Sequence, residues 1–245
     1  LRVFTMQAGT GKLELQLKIL QILGQLVTLA SRSQESFHQH FNESTIKVFL
    51  ALTLGMCGSH MTSLSVSTTA LATSRQIIAI LMDGITFSLS SVAHLIEDLC
   101  LYIDGKPGDW NKGLNVKSNY AFDVLDFMLS GWKQLFSTHV KLLELTKTHV
   151  FGALKPQLQN MQSNFSNDVM NHGVTYAAAQ CYKVVRLARC FLLDFAHEDF
   201  VEELDIIITL MIHSLTSDHT SLDSGEVEVD VNEGSGNSLI GAGAA

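Results

Sequence analysis

Ten histidines and four cysteines are the residues with the most chemistry to offer in this chain. Two acid–histidine pairs, Glu35-x-x-His38 and Asp194-x-x-His197, have a spacing that places a carboxylate and an imidazole on one helix face. Pairs of this kind supply ligands in di-metal four-helix sites, together with two further carboxylates. Here the first pair lies in a polar end-of-helix segment, the second uses the shorter Asp, and the order along the chain fits poorly. Surface histidines are the expectation, with no metal and no cofactor.

Cys57, Cys100, Cys181 and Cys190 form no C-x-x-C pair, which argues against a zinc knuckle or a thioredoxin-like site. Each sits in an apolar helical setting and reads first as a buried free thiol. Two disulfides among the four, as in a secreted protein, are the alternative. Cys57 with a remote histidine is not distinguishable from a buried thiol at this level. Ala8-Gly-Thr-Gly-Lys12 lacks the first glycine and the final Ser or Thr of a phosphate-binding loop. Nucleophile elbows, H-E-x-x-H and glycine-rich nucleotide loops are absent from the sequence. The acids from Asp194 to Asp205 read as a solvated first helical turn. No catalytic residue is expected.

Two N-x-[S/T] sequons, at Asn42 and Asn164, fall in expected inter-helix regions and are candidate glycosylation sites of a secreted chain. The chain begins at Leu1 without an initiator Met or signal-like segment, as a mature chain or a fragment would.

The composition narrows the remaining classes. Charged residues make up 16% and hydrophobic ones 47%, against about 25% charged in an average soluble domain. That combination points to extensive burial, oligomer interfaces or lipid contact. Residues 1–189 carry a formal charge of +4 and residues 190–245 carry -12, giving the net -8. An acidic end repels phosphate backbones and no basic stripe with interleaved aromatics precedes it, so nucleic acid is not an expected partner.

The elements that would position these groups are helical. Between Lys47 and Arg75 lie 27 residues without formal charge, and a second apolar run follows from Ile77 to Leu95, broken only by Asp83. The two runs predict a central helical hairpin with its break at Thr73-Ser-Arg-Gln76; Gly58-Ser-His60 and Asp83-Gly84 are further candidate breaks. Ile77, Ile78, Ile80, Leu81, Ile85, Phe87 and Leu89 of the second arm are the candidate membrane or ligand contacts. Each arm is long enough to cross a bilayer of roughly 30 Å, yet Asp83 and His94 oppose insertion. His94 and Asp98 read as a helix-surface pair.

Leu15, Ile19, Ile22, Leu26 and Leu29 repeat at spacings of 4, 3, 4 and 3, predicting a helix over 12–32. Leu13, Leu17, Leu20 and Val27 widen its apolar stripe beyond what one partner covers. Ile103–Asn119, with Asp104–Gly113 at its centre, is the strongest loop signal. Tyr120–Gly152 is amphipathic with a kink at Gly131, Pro156 opens a helix over 155–167, and Asn171-His-Gly173 is a stop and restart. Helices over 174–195 and 198–215 complete the domain; the former has Lys183, Arg186 and Arg189 as its basic face. Residues 217–245 are acidic, Gly/Ser-rich and read as disordered, with Glu226–Val231 alternating as an unpaired strand would.

The sequence thus predicts an all-α bundle of about six to eight helices over 1–216, packed around a central apolar hairpin, with a flexible tail over 217–245. Its expected function is non-catalytic and extracellular: a homo- or hetero-oligomer, or a shelter for an apolar small molecule or lipid. The alternative is a membrane-active or pore-forming protein that inserts residues 46–103, with His60 and His94 as acid triggers.

Overall fold

A computed structural model describes residues 13–31, 42–58, 63–114, 116–195 and 200–216, with the backbone alone at Ala30, Ser31, Thr86, Phe87 and Leu215. Among the described residues the protein is all-α, with no strand. In chain order the helices are α1 (Leu13–Ser31), α2 (Glu43–Gly58), α3 (Leu64–Asp83), α4 (Ile85–Ile103), α5 (Ser118–Gly131), α6 (Lys133–Thr138) and α7 (Val140–Leu145). A π-helical turn (Thr146–Val150) leads into α8 (Phe151–Gln159), followed by α9 (Met161–His172), α10 (Val174–Asp194) and α11 (Val201–Thr216).

The uncharged stretch folds as three helices rather than two arms. Thr73-Ser74-Arg75-Gln76, the expected break, lies inside α3. Hydroxyls compete with helical structure only when they draw the backbone elsewhere; here they bond back within the helix. Thr68 Oγ1 donates to Leu64 O at 2.8 Å, Thr69 Oγ1 to Ser65 O at 2.8 Å, Thr73 Oγ1 to Thr69 O at 2.9 Å and Ser74 Oγ to Leu71 O at 2.9 Å. Ser63 caps the start of α3 by accepting from Val66 N–H. The hairpin bend falls at Gly84, where Ser88 Oγ donates to the carbonyls of both Leu81 and Gly84 and so ties α4 to the end of α3. Trp132 Nε1 donates to Asp83 Oδ1 at 2.9 Å, which fastens the same bend to the chain beyond α5.

The main core wraps this hairpin. Ile77, Ile78, Leu81 and Met82 of α3 and Val92, Leu95, Ile96 and Leu99 of α4 are buried among α2, α5, α7 and α8. Full burial of an aliphatic side chain is worth about 1.5–3 kcal/mol, so these faces dominate the packing. Ile80, Ile85 and Leu89 are partly buried against the same cluster, and the side chain of Phe87 lies outside the described residues. A smaller cluster joins α1, α2 and α3 through Ile19, Leu20, Leu23, Leu52, Met56, Cys57, Val66 and Ala70.

Pro156 is inside α8 rather than opening a helix. It removes one N–H from a nine-residue helix, but Phe151, Ala153, Leu154 and Leu158 are buried, and their packing holds the turn. The chain breaks instead at Asn160. The stop at Gly173 is where the sequence predicts it, and its φ of +88° is left-handed backbone that glycine adopts at little cost. Gly131 precedes a break at Trp132, and a second interruption follows at His139. The tail over 217–245 lies outside the described residues.

Candidate functional site

A tightly constrained polar group among the described residues is the carboxylate of Asp98, in the second turn from the end of α4. It is 1% exposed. It faces inward rather than toward His94, which lies 3.4 Å from Glu97 instead. Asp98 Oδ1 accepts from the backbone N–H of Trp110 at 3.0 Å and Oδ2 from that of Asn111 at 2.8 Å. Such charge-assisted bonds in a dry site are strong, because the low local dielectric favours them over hydration. The connection after α4 is therefore drawn down onto the helix. The approach is close enough to require glycine at 108: a Cβ there would lie 2.6 Å from Asp98 Cγ. Tyr102 is buried beside the same carboxylate; burial and then the Asp98 charge push its hydroxyl ionisation well above the ordinary range.

Held this way, Trp110 becomes a fixed platform. His94 stacks on it with ring centroids 6.0 Å apart, and Lys47 Nζ of α2 sits 5.7 Å from the ring centroid. Beside it opens a cleft of about 730 Å³ between the first half of α2 and the 109–114 turn. Its floor is Val48, Ala51 and Leu114, and Ser44, Lys47, Asn111 and Lys112 supply donors around it. Asn111 is 4% exposed and its Nδ2 has no hydrogen-bond partner.

A charged layer joins α3, α5 and α10. Asp123 Oδ2 accepts from Lys183 Nζ at 2.7 Å and Asp126 Oδ2 from Arg186 Nη2 at 2.6 Å, so two residues of the basic face of α10 are taken up by α5, while Arg189 is exposed. Arg75 lies over the Phe127 ring at 5.4 Å and reaches the Asp123 carbonyl.

The four cysteines are free thiols. Cys57, Cys100 and Cys190 are buried; Cys181 is half-buried and lines a second cleft of about 220 Å³ with Gln157, Asn164, Asp168 and Tyr176. Burial pushes Cys57 up to about 12, partly opposed by Arg75. Burial, reinforced by Asp194, pushes Cys190 up to about 12. Cys100 and Cys181 are raised for the same first reason. A cysteine nucleophile acts as thiolate, and these environments favour the neutral thiol.

Asn42 is exposed at the start of α2, where its Oδ1 accepts from Thr45 N–H at 2.9 Å. The Nδ2 that a glycan would occupy is not the capping atom. Asn164 is also exposed but sits within α9, not between helices. Of the two acid–histidine pairs, Glu35, His38 and His197 lie outside the described residues, as does His60. Asp194 bonds Lys133 Nζ at 3.1 Å. Among the described residues no three metal-ligating side chains are grouped. Glu202 and Glu203 occupy the first turn of α11, where negative charge suits the helix dipole.

One further surface stands out. α1 packs on α2 and α3 through Ile19, Leu20, Leu23 and Val27. Its expected seam residues Ile22, Leu26 and Leu29 are instead 53%, 43% and 60% exposed. These three lie at i, i+4 and i+7 on one flank.

Two measurements test this account of the site. Asp98→Ala leaves the N–H groups of Trp110 and Asn111 unpaired, at about 1–3 kcal/mol for each. Urea unfolding is expected to show that loss, with Trp110 emission shifted red in the folded variant; an unchanged midpoint and emission would mean the carboxylate does not hold the turn. For the thiols, the unfolded chain releases protons above about pH 8.5, while Cys57 and Cys190 retain theirs to about 12. The folded state then binds more protons, so stability is level below that range and falls as pH rises through it. Cys57→Ala is expected to flatten this alkaline slope, and an identical slope in the variant would contradict the burial account.

No protein-family model, no curated protein and no solved structure matches the chain.

Proposed function

We propose that this is a non-catalytic, secreted helical assembly protein that self-associates through the outer flank of α1. The observation that carries the reading is the uncovered row Ile22, Leu26 and Leu29. The apolar arc of α1 is wider than its contact with α2 and α3, and three large aliphatic side chains on its outer part face water. Contiguous exposed apolar surface of this kind marks interaction sites in folded proteins. Charge does not oppose a second copy, because Glu14 and Lys18 are the charged residues of α1. A two-fold arrangement would set the same row against itself. The neutral, buried thiols and the structural use of Asp98 support a non-catalytic role. The exposed Asn42 supports a glycosylated, extracellular one.

A second reading, membrane insertion of the hairpin, is favoured by one observation: α3 is long and apolar enough to cross a bilayer. Ile77, Ile78 and Leu81 are buried in the main core, so insertion requires α3 and α4 to leave α2, α5, α7 and α8 first. Self-association needs no such opening and is the reading adopted.

Sedimentation velocity across a wide concentration range tests it. The wild-type protein is expected to associate. Ile22→Glu combined with Leu26→Glu is expected to weaken association at least about tenfold, or about 1.4 kcal/mol. Folding stability should change by only about 0.5 kcal/mol, as at other surface positions. A wild-type protein that stays monomeric, or a double variant that associates equally well, would overturn the proposal.

A further inference from the structure

We propose that the cleft between α2 and the Trp110 turn binds an organic carboxylate, with the charged group at the lysines and Asn111 and an apolar body on the floor. This site is separate from the α1 flank, and either proposal stands without the other.

The first argument is an unpartnered donor. Asn111 is 4% exposed, lines the cleft, and has its Nδ2 without a hydrogen-bond partner. Buried amide donors are ordinarily satisfied, and an acceptor entering beside Asn111 would satisfy this one. The second is charge. Lys47 and Lys112 both line the cleft, against the single carboxylate of Asp109. Among the described residues neither lysine is paired with a carboxylate: Lys47 is engaged by the Trp110 ring alone. The balance favours one negative charge on the ligand rather than several.

The third argument is shape. A volume of about 730 Å³ falls within the range of small-molecule sites, about 300–1,000 Å³, and exceeds what an inorganic anion fills. Val48, Ala51 and Leu114 give the remainder an apolar lining. His94 and Lys47 already attend the Trp110 ring, so the body of the ligand lies along that lining rather than stacked on the indole. Finally, the cleft is preformed. Its Trp110–Asn111 wall is fixed to α4 by two hydrogen bonds to Asp98, which lowers the ordering cost of binding.

Calorimetric titration of the full chain separates the components of this claim. The probes are octanoate, octanol (the same body without the charge) and inorganic phosphate (charge without the body). Octanoate is expected to bind saturably with one site per chain, and the other two at least tenfold more weakly. Lys112→Met, at an exposed position, and Lys47→Met are each expected to weaken octanoate severalfold, and together at least tenfold, with unchanged thermal unfolding. Asn111→Leu should weaken it similarly. Failure of octanoate to bind, octanol binding as tightly, or full affinity in the double lysine variant would overturn the proposal.

Discussion

The 54 residues from Val48 to Leu101 carry so few charges that water is a poor solvent for them, and the structure is built to keep water away. The bend at Gly84 folds α3 against α4, and Ser88 and Asp83 secure it with hydrogen bonds to the backbone and to Trp132. The other helices then close over the two apolar faces. α1 and α2 cover the start of α3, while α5, α7 and α8 cover the rest and α10 packs outside α5 and α8. The ion pairs between α5 and α10 lie at the edge of this packing. They fix which face of α10 is presented to α5.

How much of this the sequence disclosed follows the kind of signal each element carries. The Asp104–Gly113 connection and the Gly173 restart were legible because glycine and proline act locally, through backbone freedom. The extent of α1 was legible from its apolar period, but not its inward face. An arc that runs from Leu15 round to Leu20 does not say which half meets a partner, and the structure buries the Leu20–Val27 side. Ser and Thr misled at 73–76, because their hydroxyls bond back within a helix as readily as they cap a new one. Pro156 misled because buried neighbours outweigh one missing N–H. Asp98 was hidden for a different reason: its partners are backbone groups twelve and thirteen residues onward. An acid set in an apolar helix just before a Gly-Asp-Trp-Asn turn was the available clue.

The functional picture rests on what the packed core leaves over. One leftover is aliphatic, the outer flank of α1, and it suits contact with another protein surface. The other is mixed, the Asp98-anchored turn with its cleft of donors over an apolar floor, and it suits a small amphipathic anion. Neither demands that the hairpin move. The same residues that made 46–103 a candidate membrane device, Ile77, Ile78 and Leu81 among them, are engaged in the centre of the fold.

The central claim is that α3 and α4 form a closed core while α1 carries association, and native-state hydrogen exchange tests it most directly. Amides of α1, α3 and α4 would be followed at low and high protein concentration, at neutral and mildly acidic pH. The account predicts that α3 and α4 exchange only through global unfolding at either pH, while α1 gains protection as concentration rises. Opening of α3 and α4 below the global unfolding free energy in acid, with α1 indifferent to concentration, would contradict it and favour release of the hairpin.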